Sequence, residues 1–233
     1  MGNGVEIGID IGQCVQSEDT HWLWNGLEIS ANNASPTLIL AHGAGAPMDS
    51  PFMTAMANAL ALCGISVVRF EFPYMAACRL DGRKRPPSPQ AQLLDCWRAV
   101  HTGVRQHAKG PLAIGGKSMG GRMASLLADE LEADALICLG YPFHPAGRSD
   151  KPRVGHLAQL KTPTLIIQGE RDALGNRSTV PSYDLSPVIE VHWLAAADHD
   201  LRPLKAAGIS HSQYLESSAQ VIADFLFSCI QHP

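Results

Sequence analysis

The sequence predicts a single α/β domain over residues 1–233, in which a mostly parallel sheet of about eight strands carries helices on both faces. Two patterns favour this fold class. From residue 37 onward, short apolar runs alternate with segments of helical periodicity. The apolar runs are continuous, which is typical of parallel strands that are buried on both faces. A chain of 233 residues is also long enough to enclose one large core.

Each predicted strand is a short apolar run that ends at a turn. At the N-terminus, residues 5–11 alternate between apolar and polar side chains, the pattern of a strand with one exposed face. Together with residues 22–29 they predict an edge hairpin within residues 1–35, with antiparallel pairing of the first strand. The other strands are expected at residues 37–41, 66–72, 112–114, 135–139, 164–168 and 188–194.

Between the strands, four segments have apolar residues at helical spacing. The first begins with Ser50 as a capping residue and Pro51 in the first helical position, and it ends at Gly64. The other helices are expected at residues 93–107, 121–128 and 217–230. Alternation of such helices with buried strands is what covers both faces of a parallel sheet.

Two connections are longer than plain turns. Residues 73–92 hold four basic side chains followed by three prolines, and we expect either a functional loop at the rim of a site or a mobile loop. Residues 141–161 have room for a loop and one short helix. The sequence therefore predicts an open site without a lid domain.

The pentapeptide from Gly116 to Gly120 reads G-x-S-x-G and lies between an apolar strand and a helix. In that context the motif indicates a nucleophile elbow, a strained turn that presents a serine hydroxyl to a substrate. The two glycines leave room for a close crossing of the backbone. Ser118 is therefore the predicted nucleophile, and the alternative is a serine that caps the following helix.

A serine hydroxyl becomes a nucleophile when a base takes its proton and an acid orients that base. After a nucleophile elbow, the acid and then the histidine follow later strands. Asp172 follows the strand at 164–168 and His199 follows the strand at 188–194, so they are the predicted acid and base. The alternatives are Glu170, Asp184 and Asp198 for the acid, and His42 and His144 for the base.

Two backbone N–H groups should stabilise the negative charge that develops on the substrate oxygen. One belongs to Met119, which directly follows the predicted nucleophile. The other should come from the loop at residues 42–46, where we favour Ala44. Small residues in this loop allow the backbone to approach a substrate closely. The alternative is that residues 42–46 form a plain glycine-rich turn.

Side chains at the carboxyl edge of the sheet are candidates for substrate contact, because ligands of open α/β sheets bind there. Tyr74 and Tyr141 each follow a strand and would wall a pocket or pack in the core. Arg79 begins a basic segment, residues 79–85, that also contains Arg83, Lys84 and Arg85. This segment would attract an anionic substrate such as a carboxylate-bearing ester, or form a solvated charged loop.

Charge and cysteine usage exclude several classes of protein. The net charge of −4 and the pI near 6.2 give no basis for binding nucleic acid or a membrane surface. No apolar run approaches the length of a membrane span, and no signal peptide is apparent. The six cysteines lack C-x-x-C spacing, so we expect reduced thiols in a cytoplasmic protein and no disulfide framework or zinc site.

Several segments together resemble the α/β-hydrolase superfamily, in particular its small lidless enzymes similar to dienelactone hydrolase. They are residues 42–50, 69–74, 115–122, 139–144, 168–172 and 198–200. More closely, the chain is similar to a family of predicted α/β-hydrolase-fold hydrolases that includes testis-expressed and NSL-complex-subunit hydrolase-like proteins. The resemblance runs from around residue 36 to the C-terminus. It implies the α/β-hydrolase fold, a serine hydrolase with the triad named above, and no dissociable cofactor or metal. Dienelactone hydrolase itself uses a cysteine nucleophile, so the resemblance does not extend to its substrate.

The expected function is cleavage of a small acyl ester, thioester or related bond through an acyl-enzyme, the chemistry of a serine esterase. The expected partner is the small acyl substrate, and a homodimer is left open. Two alternatives remain from other classes. One is an acyltransferase, in which a bound alcohol or amine replaces water, and the other is a noncatalytic interaction module on the same scaffold.

Overall fold

A computed structural model describes residues 16–17, 20–26 and 35–231 of the chain. Its strands are β1 (Gln16–Ser17), β2 (Thr20–Asn25), β3 (Thr37–Ala41), β4 (Ser66–Phe70), β5 (Leu112–Lys117), β6 (Leu136–Leu139), β7 (Thr164–Gly169) and β8 (Ile189–Leu194). They lie side by side in the order β1-β2-β4-β3-β5-β6-β7-β8.

The sheet is parallel except at one edge. Strands β3 to β8 run parallel to their neighbours, whereas β2 is antiparallel to β4. The two-residue strand β1 pairs antiparallel with β2, and the other seven strands form the main sheet. Every residue of β3 to β7 is buried, as expected for strands covered on both faces. The predicted fold class is confirmed.

Helices cover both faces of the sheet. They are α1 (Pro51–Leu62), α2 (Pro73–Asp81), α3 (Gln90–His107), α4 (Met119–Ser125) and α5 (His211–Gln231). Successive residues of a strand point to opposite faces. Leu38 accordingly joins the core layer beneath α1 and α5, while Ile39 joins the layer beneath α3 and α4.

The N-terminal edge agrees with the predicted hairpin in its antiparallel pairing. The predicted strand at residues 22–29 corresponds to β2, which ends at Asn25. The predicted strand at residues 5–11 lies outside the described residues, and the strand that pairs with the outer side of β2 is β1. The assignment of residues 1–233 to one domain stays a prediction.

The prediction of a loop, either functional or mobile, at residues 73–92 is wrong over its first half, which forms α2. Both ends of this helix carry signals in the sequence. Pro73 occupies the first helical position, and Gly82 ends the helix in the left-handed region with φ of 71°. The basic and proline-rich character of the segment favoured a loop, but these two residues outweigh it.

Two further differences concern the later elements. The closing helix α5 begins at His211, before the predicted start at Ser217. The connection from β6 to β7, which the structure describes in full, contains one 3₁₀ turn, Leu157–Gln159, and no lid domain. The expectation of a lidless architecture is confirmed.

The parallel register brings the carboxyl ends of the central strands to one edge of the sheet. His42 follows β3, Ser118 follows β5, and Tyr141 follows β6 after one glycine. Asp172 and His199 follow β7 and β8 after short turns. The residues that the sequence singles out for chemistry therefore meet along one edge, where ligands of open α/β sheets bind.

Candidate active site

Ser118 lies in a strained turn between β5 and α4. Its φ of 51° and ψ of −114° fall where residues other than glycine are uncommon. A Cβ atom on Gly116 would lie 2.7 Å from the carbonyl oxygen of Ala41, and one on Gly120 would lie 2.6 Å from it. Both positions of the motif thus require glycine because neighbouring backbone occupies the space of a side chain. The geometry is that of a nucleophile elbow.

The side chains of Ser118, His199 and Asp172 form a continuous hydrogen-bonded chain. Nε2 of His199 lies 2.9 Å from Oγ of Ser118. Nδ1 of the same ring lies 2.7 Å from Oδ2 of Asp172. An ionised carboxylate only accepts hydrogen bonds, so the ring nitrogen that faces it carries the proton. Nε2 is then the free acceptor, directed at the serine hydroxyl.

The carboxylate of Asp172 is fully buried and held at both oxygens. The backbone N–H of Leu174 donates to Oδ1 at 2.7 Å, and the side-chain amide of Gln168 donates to Oδ2 at 2.8 Å. These bonds compensate for the loss of hydration that burial imposes on the carboxylate. They also fix the oxygen that orients His199.

The two alternative histidines have other partners. His42 is fully buried; its Nδ1 donates to the carbonyl of Gly43 at 2.7 Å, and its Nε2 accepts from the N–H of Phe72 at 3.1 Å. Burial lowers the pKa of His42, which therefore stays neutral and structural. Nδ1 of His144 donates to the carbonyl of Pro145 at 2.9 Å. Neither ring is bonded to Ser118.

The alternative acids also lie outside the hydrogen-bonded chain. Glu170 accepts from the N–H of Ala196 at 3.1 Å, which fastens the turn after β8. Asp198 accepts from the N–H groups of Asp200 and Arg202 within the His199 loop. Asp184 is exposed. Of the four acids considered, the structure brings Asp172 to His199.

The loop at residues 42–46 lies beside the nucleophile. A Cβ atom on Gly43 would lie 3.7 Å from Cβ of Ser118. Met119 is the first residue of α4, where backbone N–H groups have no acceptor within the helix. The hydroxyl of Tyr74 donates to the carbonyl of Ala44 at 3.0 Å and so fixes the loop. This arrangement is compatible with the predicted oxyanion donors, Ala44 and Met119, whose role stays a prediction.

The three predicted substrate contacts are engaged with the protein itself. Tyr74 is 5% exposed and holds the Ala44 loop, while Tyr141 is fully buried and donates to the carbonyl of Arg153 at 3.2 Å. Burial raises the pKa of both phenols. Their contacts place the two tyrosines in the scaffold of the site, and direct contact with a substrate stays a prediction.

Arg79 is held by two carboxylates. Its guanidinium bonds Glu71 at 2.6 Å and 3.0 Å, and Asp49 at 2.8 Å and 2.9 Å. These hydrogen bonds raise the pKa of Arg79 and lower that of Asp49. Arg83 and Lys84 are exposed on the segment that follows. The positive charge of Arg79 is therefore neutralised within the fold, and its role toward an anionic substrate stays a prediction.

Sequence patterns assigned no role to Gln168, Lys117 or Gly140, yet all three touch the triad. Gln168 bonds Asp172, and Nζ of Lys117 donates to the backbone carbonyl of His199 at 2.8 Å. A Cβ atom on Gly140 would lie 2.7 Å from that same carbonyl oxygen. Position in the sequence could have singled them out, because Lys117, Gln168 and Gly140 stand at the carboxyl ends of strands, where the site is expected.

The described residues also bear on metal sites, disulfides and membrane-spanning helices. No group of three His, Cys, Asp or Glu side chains in this part of the chain could hold a metal ion. The five cysteines that the structure describes are free thiols; Cys14 lies outside it. Among the helices within the described ranges, none has both the length and the apolar character needed to cross a bilayer.

Comparison with known structures gives the same architecture. The chain is similar to an α/β serine hydrolase without a lid from Xanthomonas campestris, with a TM-score of 0.64 and 21% identity over 98% of this chain and 97% of that one. It is similar to dienelactone hydrolase from Anabaena variabilis, with a TM-score of 0.67 and 19% identity over 93% and 96% of the two chains. Est1E from Butyrivibrio proteoclasticus matches with a TM-score of 0.65 and 13% identity over 95% and 100%.

At these identities the structural matches establish the fold alone. The closer resemblance to testis-expressed and NSL-complex-subunit hydrolase-like proteins stays a prediction. A family model described as an alpha/beta hydrolase domain matches residues 34–227, well over half of the chain. On that match and the fold that surrounds it, this protein belongs to the α/β-hydrolase domain family.

Proposed function

We propose that this protein is a serine hydrolase that cleaves a small acyl ester, thioester or related bond through an acyl-enzyme. One observation carries the proposal: Ser118, His199 and Asp172 are joined by hydrogen bonds of 2.9 Å and 2.7 Å at the carboxyl edge of the sheet. The serine and the histidine are 81 positions apart in the chain. Because only the fold brings them together, a chance arrangement is improbable. Esterases and a dienelactone hydrolase among the similar structures support the same reaction class.

In the proposed first step, Oγ of Ser118 attacks the carbonyl carbon of the substrate while Nε2 of His199 takes the hydroxyl proton. The imidazolium that forms is stabilised by the carboxylate of Asp172, which is itself held by Leu174 and Gln168. The imidazolium then gives its proton to the leaving group, and the acyl-enzyme remains. The 2.9 Å contact between the serine and histidine allows this transfer without rearrangement.

In the proposed second step, His199 activates a water molecule that attacks the acyl-enzyme and releases the acid. Both steps pass through a tetrahedral intermediate whose oxygen carries negative charge. The backbone N–H groups of Met119 and Ala44 would stabilise that oxygen, each contributing about 10²–10³ in rate. The Tyr74 bond to the Ala44 carbonyl and the backbone bond from the N–H of Arg122 to the carbonyl of Ser118 support this assignment, because preorganised donors need no rearrangement during the reaction.

The expected substrates are small or flexible acyl compounds. The connection after β6 contains one 3₁₀ turn and no lid, so this segment adds no cap over the triad. His199 retains 27% of its side-chain exposure, which leaves the base accessible from solvent. An open site favours substrates that bind through the reacting group and a short chain more than those that need complete enclosure.

Labelling with a fluorophosphonate probe tests the proposal directly. The probe forms a covalent bond with a serine that a base activates, so the wild-type protein should be labelled stoichiometrically and Ser118→Ala should not be labelled. Ser182→Ala is the matched control, because Ser182 is exposed and its hydroxyl donates to the carbonyl of Thr179. A folded wild-type protein that resists the probe would instead support a noncatalytic module. Transfer of the acyl group to an added alcohol in preference to water would support an acyltransferase.

A further inference from the structure

The residue that precedes the predicted nucleophile is a buried lysine. Lys117 is 7% exposed, although it stands at the carboxyl end of β5, the open edge of the sheet. Its ammonium group donates to the backbone carbonyl of His199 at 2.8 Å and lies 3.3 Å from Oδ1 of Asp200. It also lies over the ring of Phe52, 5.6 Å from the ring centre. Burial of a lysine is costly, so this position calls for a reason.

The contacts of Lys117 connect two parts of the proposed catalytic machinery. The Cα atoms of Lys117 and Ser118 are adjacent in the chain, so Lys117 moves with the nucleophile elbow. Its carbonyl partner belongs to His199, the base. The connection spans 82 residues and joins the elbow to the base loop by one side chain.

A second set of contacts holds the other side of this loop. Nε2 of His211 lies 2.9 Å from the carbonyl of Asp200, and the ring of His211 stacks on Phe52 at 6.2 Å. Phe52 is the same ring that lies beneath Lys117. The loop carrying His199 is therefore held between β5 and the first residues of α1 and α5.

We propose that Lys117 is a positioning residue: its ammonium group holds the His199 loop against the nucleophile elbow and, paired with Asp200, balances the charge around the imidazole. This inference rests on the proposed function, because it assigns Lys117 its effect through His199. Burial lowers the pKa of Lys117, while the carboxylate of Asp200 opposes that effect, and the ammonium group of Lys117 in turn favours the ionised form of Asp200.

The electrostatic part of the proposal predicts the direction in which each variant shifts the protonation of His199. A role in supporting the fold alone predicts no such direction. Removing the positive charge of Lys117 stabilises a protonated His199, whereas removing the negative charge of Asp200 destabilises it. The two neutral variants should therefore shift the protonation of His199 in opposite directions. Variants that merely loosen the loop would give no such pair of opposite shifts. The charged or titratable groups around this loop are Asp172, Lys117, Asp198, Asp200, Arg202 and His211.

Activity measurements test the positioning role. With p-nitrophenyl acetate, Lys117→Met should lower kcat by about 10²-fold with little change in KM, the cost of misplacing a catalytic group by about 1 Å. Lys117→Arg keeps the charge and should recover part of the loss. Lys151→Met, at an exposed lysine, is the matched control and should behave as wild type. Wild-type kcat in Lys117→Met would overturn the proposal.

Titration tests the charge balance and does not depend on turnover. In the Ser118→Ala background, NMR should follow the His199 ring, assigned by its loss in His199→Gln. Lys117→Met should raise the titration midpoint and Asp200→Asn should lower it, each by about half a pH unit or more, the order of magnitude for one nearby charge that solvent partly screens. The side chain of Asp200 is 59% exposed, so this variant should fold even if Lys117→Met does not.

The two experiments separate failure of this inference from failure of the proposed function. Midpoints that move in the same direction, or do not move, overturn the role of Lys117 even if the wild-type protein hydrolyses esters. A wild-type protein that neither reacts with the fluorophosphonate probe nor turns over an ester overturns the hydrolase proposal and the catalytic consequence of Lys117. Opposite shifts of the ring would then still establish the charge balance around His199.

Discussion

The side-chain amide of Gln168 donates a 2.8 Å hydrogen bond to Oδ2 of Asp172, the oxygen that faces His199. Gln168 is itself fully buried, and its other bonds go to the backbone of Tyr141 and Gly175. One side chain at the end of β7 thus ties the predicted acid to the loops after β6 and β7. The carboxylate cannot rotate without breaking this set of bonds.

Replacement of Gln168 by leucine should therefore cost both stability and activity. Leucine has a similar size but leaves the N–H of Tyr141 and the carbonyl of Gly175 buried without partners, at about 1–3 kcal/mol each. Urea unfolding should report the loss in free energy. Gln92→Leu, at an exposed position on α3, is the control and should unfold as wild type does. Equal stability of the two variants would contradict this account of Gln168.

The nucleophile and base should act as a unit. Ser118→Ala and His199→Ala should each lower the turnover of p-nitrophenyl acetate by at least about 10³-fold, and the double variant should be no slower than the single ones. The reason is that each residue is effective only through the 2.9 Å bond to the other. Additive losses in the double variant would show that the two side chains act separately.

Replacement of Asp172 by asparagine should remove activity while keeping the fold. The amide of asparagine would donate a hydrogen bond toward Nδ1 of His199, so the ring proton would move to Nε2, which faces Ser118. That ring could no longer accept the serine proton, and kcat should fall by about 10⁴-fold. Asp184→Asn, at an exposed aspartate, should retain wild-type activity. A fully active Asp172→Asn variant would show that another residue orients His199.

The sequence predicts the features of the fold and site that local patterns encode, and it misses those that depend on contacts between distant segments. The strand ends, the elbow and the order of serine, acid and base are local patterns, and Ser118, Asp172 and His199 meet as the order predicts. Gln168 and Lys117 act through contacts with the backbone of distant segments. Nothing in the neighbouring residues encodes such a partner, so the sequence predicts a strand position for Gln168 and an elbow position for Lys117 without a role for either side chain.

The start of α5 carries a local signal that the apolar pattern obscures. Ser210 and Gln213 form a reciprocal pair, in which each side chain accepts from the backbone N–H of the other at 3.2 Å and 2.8 Å. This is a capping box, whose sequence signature is a serine followed three residues later by glutamine. The predicted start at Ser217 rests instead on the apolar residues that follow it. The contacts of Arg79 differ from this capping box, because no local sequence pattern pairs Arg79 with Glu71 and Asp49.

Arg79→Gln should lower stability more than it alters substrate preference. The Glu71 side chain is 6% exposed and would lose its charged partner, at about 1–3 kcal/mol. Because Arg79 lowers the pKa of Asp49 below 3.8, the stabilisation from that carboxylate is present above about pH 4 and is lost as the pH falls further. The stability gap between wild type and variant should therefore be smaller in urea unfolding at about pH 3 than at about pH 7.

The same variant separates the structural role of Arg79 from anion attraction. The ratio of kcat/KM for a p-nitrophenyl ester with a terminal carboxylate to that for its neutral analogue should be unchanged in Arg79→Gln. Arg83→Gln, at an exposed arginine nearby, serves as the control for a general loss of positive charge. A selective loss of the anionic ester in Arg79→Gln would establish the substrate contact.

Gly140→Ala should impair the base without a comparable loss of fold. Gly140 has φ of 64°, and a Cβ atom there would lie 2.7 Å from the carbonyl oxygen of His199 and 3.3 Å from its Nδ1. The His199 loop would have to shift, and we expect kcat to fall by about 10²-fold, as for other displacements of a catalytic group. Gly82→Ala is the matched control, because Gly82 has φ of 71° and a Cβ atom added there would have no neighbouring atom within 4 Å. Both variants carry the left-handed backbone cost of about 1–2 kcal/mol, and Gly140→Ala adds to it only the displacement of the His199 loop. The difference in kcat between them measures the contact with His199 alone, and equal kcat values would show that the base loop can move without consequence.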